Sequence, residues 1–210
     1  MTSSTAYVPA SPATAAAGGP PPSGPAGHAV VRFTGSLHAA LDRLTDTPTW
    51  SMTTAEQRDA LVGLAAAQAR LEELRLRVLV AADRDGAGPE VGATSIPAWV
   101  AAQTRSTRPA AFADLHLAAA LDDGFDATRQ ALAAGRVNTA QARVIVAAVT
   151  TLTDDYDDLP PGTHARAEAH LLEAAAHLDA TGLRVLGKRL FEVVCPEAAD
   201  RVEGEKLAAE

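Results

Sequence analysis

The sequence has one cysteine, Cys195, in 210 residues, which excludes an intrachain disulfide and a zinc site built on several thiolates. Aromatic residues make up only 4%, so the core falls to Ala, Leu and Val, whose small side chains allow closely packed helices. Ala also has the highest helix propensity. Lysine occurs only at 188 and 206 and asparagine only at 138, a bias toward GC-rich codons with no functional content. No apolar run approaches the roughly 20 residues of a membrane span, and no basic residue precedes Arg32 to open a secretory signal. A soluble, cytoplasmic protein without membrane contact is therefore expected. Its net charge of −8 opposes general binding to polyanions, so contact with DNA has to be local.

What the chain does hold begins with Pro, Gly, Ala and Ser: residues 1–29 read as a disordered tail. A helical domain is expected over 30–195. A charged, helix-prone linker follows over 196–210, with no stop signal at Glu210, so it reads as truncated. The first helix should start near Val30 with Leu37, Leu41 and Leu44 on one face. The second should start at the capping box Thr53-Thr54-Ala55-Glu56 and run over 54–83, with Leu61, Leu64, Leu71, Leu74 and Val78 as its apolar stripe. Asp85-Gly86 and Gly88-Pro89 should end it. At roughly 45 Å this helix suits a central strut or a homodimer contact.

Two segments then repeat a short helix, a tight turn and a longer helix, one from Ser95 and one from Thr128. Ser106 or Thr107 would cap the longer helix of the first, Asn138 or Thr139 that of the second. The expected fold is all-α, an irregular multi-helix bundle with two helix-turn-helix-like units, an arrangement that commonly docks on DNA. The units align with Val100 over Leu132 and Thr107 over Thr139, although Ala-rich helices align easily by coincidence. TDDYDDLPPG after Leu152 reads as a loop. Further amphipathic helices are expected over Thr163–Leu178 and Leu183–Val194, with Pro196 closing the last.

The strongest candidates for DNA contact lie in the second unit. From Ala127 to Leu152 there is no acidic residue, while Arg129, Arg136 and Arg143 are all present. Arg136 falls in the turn, Asn138 can cap the next helix, and Arg143 lies one turn into it, where recognition helices address a groove. Arg105 and Arg108 of the first unit could add phosphate contacts. The plainer alternative for all of them is a solvated helix surface.

Other clusters read as structural. His170, Glu173 and His177 share one helix face, with His164 nearby, but lack the i, i+4 histidine pair of a zinc helix. Asp154, Asp155, Asp157 and Asp158 lack the alternation, Gly and terminal Glu of a calcium loop. Trp99, amid Ile96, Val100 and Ala102, is expected to anchor core rather than stack on bases, as Trp50 also could. Cys195 reads as an inert thiol. No catalytic residue, metal ligand or cofactor is assigned.

Four segments together, ADRDGA from Ala82, GATSIPAWVAAQTRST from Gly92, ALAAGRVNTAQARVI from Ala131 and LDATGLRVLGKRL from Leu178, resemble a bacterial family. It is the domain of unknown function 222, or thirteen-E-twelve repeat, family, and the resemblance spans roughly Leu61 to Asp200. It implies an all-helical region that commonly precedes an HNH endonuclease domain. The segment after the first turn, PAAFADLHLAAAL, holds fewer arginines than is usual there, and the histidines, asparagine and cysteines of an HNH domain have no counterpart in this chain. No catalytic residue carries over. The function expected is a non-catalytic helical module that engages double-stranded DNA or positions a nuclease on it. The alternative is a protein-interaction module that dimerises through the 54–83 helix without binding nucleic acid.

Overall fold

In a computed structural model, residues 27–156 and 159–194 are described, and all regular structure among them is helical. The chain divides into two units at Met52/Thr53. The tail expected over 1–29, apart from its last three residues, and the linker expected over 196–210 lie outside the described residues, as does Cys195.

The first unit holds α1 (Ala29–Asp42) and a 3-10 turn (Thr49–Ser51). The His28 ring accepts from the Val30 amide and so caps α1. The helix buries none of its residues. Leu44, expected on its face, falls beyond it, in a turn where its amide bonds to the Leu41 carbonyl.

The second unit opens with α2 (Thr54–Arg84). Its capping box is formed as the sequence predicts: the Glu56 amide donates to Thr53 Oγ1 at 3.2 Å and the Thr53 amide to Glu56 Oε2 at 2.7 Å. The Thr53 amide first, and then its hydroxyl, which donates to the same carboxylate oxygen at 2.8 Å, hold the Glu56 carboxyl below its ordinary pKa. Asp85 and a left-handed Gly86 end the helix. Gly88-Pro89 does not extend this ending but forms a further helical turn, α3 (Ala87–Glu90). Gly88 is required there because a Cβ would stand 2.5 Å from the Ile96 nitrogen.

The apolar stripe of α2 lies largely off the core. Ala69, Glu73, Leu76 and Leu79 are the buried residues of α2, while Leu61 and Leu64 are 69% and 66% exposed. A helix as long as α2 has two faces available, and α5 and α6 pack on the one that carries Ala69, Glu73 and Leu76.

The two helix pairs follow: α4 (Ile96–Thr104) with α5 (Arg108–Asp122), then α6 (Asp126–Ala133) with α7 (Thr139–Asp155). Thr107 caps α5, and Asn138 rather than Thr139 caps α7, so the units fall one residue out of the expected register. Asn138 and Gln141 form a second capping box. Trp99 is not a core anchor. On α4 the inward residues are Ile96, Pro97 and Ala101, and Trp99 projects from the other side.

The loop expected from Thr153 begins later, since α7 continues to Asp155; Asp157 and Asp158 lie outside the described residues. α8 (Thr163–Ala174) ends four residues short of the expected Leu178. The helix expected from Leu183 starts earlier, because Asp179 caps α9 (Ala180–Gly187) through the Thr181 and Gly182 amides; α10 (Leu190–Val194) is separate.

The core gathers on α7, which packs against α6, α8, α9 and α10 through the fully buried Ile145 and Val149, beside Leu132, Leu171 and Leu183. Two polar clips cross it. Gln141 Nε2 donates to the Ala175 and Leu178 carbonyls, tying the start of α7 to the end of α8. Glu168 of α8 accepts from the amide and hydroxyl of Thr128, and so closes the start of α6, whose own cap residue, Phe125, offers no polar side chain.

Candidate functional site

The six residues singled out for DNA contact divide into two groups. Three are engaged within the protein. Arg129 Nη2 bonds Asp126 Oδ1 at 2.7 Å, and this bond raises its pKa. Asp126 stands one residue before the acid-free stretch, so the stretch loses part of its charge in three dimensions. Arg143 donates to the Ala113 carbonyl and pairs with Asp114. Asn138 spends its side-chain oxygen on the Gln141 amide.

Asp114 was not foreseen, and no local pattern marks it. It takes Arg143 from α7 and Arg75 from α2, so one carboxylate on α5 joins three helices. Arg75 also pairs with Glu72, and these bonds, Glu72's first, push its pKa well above the ordinary arginine value.

Arg105, Arg108 and Arg136 form the second group: all are exposed, and among the described residues none has an ion pair or side-chain hydrogen bond. Their turns share a level. Arg75 meets Asp114 and Arg84 meets Asp122, so α5 runs parallel to α2. Counting back along α5 puts Arg108 level with roughly residue 69 of α2, given an equal rise per residue in both helices. Gly135, beside Arg136, packs on Ala66 of α2, where a Cβ would stand 2.9 Å from the Ala66 carbonyl oxygen. Arg70 of α2, exposed and likewise without a partner among the described residues, falls at the same level. Sequence reading passed over Arg70 because it lies inside a helix rather than in a turn. Arg105 also adopts a left-handed backbone, φ 57°, where glycine is the unstrained choice.

A second feature is the outer face of α2. Leu64, Leu71 and Val78 recur at every seventh residue, with Leu74 between the last two, on the side away from Ala69, Glu73 and Leu76. Leu64 and Val78 are exposed and Leu71 and Leu74 half-buried. Leu61, 69% exposed, flanks this face, whereas Val62 is in register with Ala69 and Leu76 on the opposite side.

The remaining candidates have structural surroundings. His164 meets the Phe125 ring edge-on at 4.6 Å. His170 Nε2 is enclosed without a hydrogen-bond partner. No three His, Cys, Asp or Glu side chains among the described residues converge as metal ligands, and no described helix is long and apolar enough to cross a membrane.

Fold and surfaces together define an all-helical module with an arginine-bearing end and an apolar outer helix face. The chain belongs to the family described as Domain of unknown function (DUF222), whose model matches residues 32–207. No curated protein and no solved structure matches it.

Proposed function

We propose that this chain is a protein-interaction module that associates with a second copy of itself through the outer face of α2. The observation that carries the reading is the seven-residue recurrence of Leu64, Leu71 and Val78 on a face that the rest of its own unit covers only in part, leaving Leu64 and Val78 exposed. Such spacing is self-complementary, because the apolar seam of one helix offers the holes that the seam of another fills. Contiguous exposed apolar surface of this kind marks interaction sites in soluble proteins. The test is Leu64→Asp with Val78→Asp, both exposed. Burying a carboxylate at two seam positions should abolish self-association while leaving the thermal midpoint of the monomer near its original value. Association that survives the double variant would place the contact elsewhere.

The free arginines favour a second reading, in which the module lays its α4–α5 and α6–α7 turns on double-stranded DNA, as a positioning part beside an HNH-type nuclease. Arg105, Arg108 and Arg136 lie at one level along α2 with no carboxylate partner among the described residues. The left-handed backbone of Arg105 supports this reading, since residues in such strained conformations gather at functional sites. Replacing the three with alanine should weaken duplex binding and flatten its salt dependence by roughly 0.9 in log–log slope per lost phosphate contact. An unchanged slope, or no duplex binding by the parent chain, removes this reading.

A further inference from the structure

A cleft between α7 and α9 lies apart from both surfaces. Gly187 lets α9 settle on α7: a Cβ there would stand 2.8 Å from that of Ala148. Beside this crossing the α7 wall is small, with Ala147 and Ala148 where larger residues would fill the gap, and an open cleft of about 480 Å³ remains. That volume falls within the roughly 300–1,000 Å³ typical of small-molecule sites. Its floor is apolar and firmly packed, formed by Val144, Leu152 and Leu190, all buried. Its mouth is cationic. Arg184 of α9 and Lys188, the residue that ends this helix, are four apart, on one side of it, and have no ion pair or hydrogen bond from their side chains among the described residues. The described residues lining the cleft include a third cation, Arg143, already held by Asp114, and no carboxylate.

We propose that this cleft binds a small amphipathic anion with a single charged head, held between Arg184 and Lys188, and a short apolar chain over Val144, Leu152 and Leu190. The two cations at the mouth select an anionic head, because a guanidinium and an ammonium together can satisfy the oxygens of a carboxylate or phosphate through charge-assisted bonds. The apolar floor selects a hydrocarbon tail and disfavours a polyanion, which would leave that floor uncovered.

The test titrates octanoate into the whole chain by calorimetry, in parallel with octyl phosphate, octanol and octylammonium. Saturable one-to-one binding of octanoate is expected, with octanol about tenfold weaker or worse and no binding of octylammonium. Comparison of octanoate with octyl phosphate assigns the preferred head. Arg184→Ala with Lys188→Ala, both exposed positions, should cost about tenfold or more in octanoate affinity without moving the thermal midpoint. Ala147→Leu, which fills the cleft from an exposed position, should weaken octanoate and octanol alike. No saturable octanoate binding, octanol binding as tight as octanoate, or an affinity unmoved by the double variant would each overturn the proposal.

Discussion

Glu168 Oε1 stands 2.7 Å from both the amide nitrogen and the hydroxyl of Thr128, forty residues earlier in the chain. Glu168 and Thr128 are buried, so the carboxylate of α8 serves as the missing amino-terminal cap of α6. Glu168→Ala leaves a buried amide and hydroxyl unpaired and should lower stability by about 3 kcal/mol, read from urea denaturation midpoints. Glu168→Gln keeps an acceptor oxygen and should cost about 1 kcal/mol. Equal losses from the two variants would show that packing, not the hydrogen bonds, is at work.

Gln141 carries out two tasks with one amide: its oxygen accepts from the Asn138 amide and its nitrogen donates to the Ala175 and Leu178 carbonyls. Gln141→Ala should therefore cost more than Asn138→Ala, about 2–3 kcal/mol against the roughly 1 kcal/mol of an ordinary cap. Hydrogen exchange should also show faster opening at the end of α8 in the Gln141 variant alone. Matching effects of the two substitutions would contradict the clip between α7 and α8.

The Glu56 carboxyl, held below its ordinary pKa by the Thr53 amide and hydroxyl, makes the start of α2 acid-sensitive. Because its folded pKa is lower than its unfolded one, its contribution is present above the ordinary carboxylate range and disappears as pH falls through the folded value. Glu56→Gln lacks that contribution. Any stability gap between the parent and this variant at about pH 7 should narrow as pH falls below the ordinary carboxylate range, as followed by denaturation midpoints. A gap that widens in acid would have the wrong sign.

Arg105 ends α4 in the left-handed region at φ 57°. Arg105→Gly should stabilise the protein by about 1 kcal/mol, and Arg105→Ala should not, since only glycine escapes the cost of a Cβ there. If Arg105→Gly also weakens duplex binding, the strained arginine trades stability for contact. A destabilising Arg105→Gly would show instead that the guanidinium supports the fold.

The sequence reveals much of the helical framework because its signals are local. The Thr53–Glu56 box, the caps at Thr107 and Asn138, and the extent of α2 all depend on residues within one turn of each other. What it does not reveal depends on partners distant along the chain. The leucine stripe of α2 is periodic whichever way it faces, and the packing of α5 and α6 on the opposite side turns it outward. Arg143 looks like a free cation until Asp114 arrives from another helix. Glu168 looks like a surface acid until α6 presents an uncapped amino terminus to it. The start of α9 shifts for a local reason instead, since Asp179 supplies a cap at a position where apolar spacing alone marks none.

Sedimentation velocity of the whole chain over a range of micromolar concentrations tests the interaction reading most directly. A concentration-dependent shift from monomer to dimer, absent in the Leu64→Asp, Val78→Asp variant, is the predicted result. A single monomeric species at every concentration would contradict association through α2.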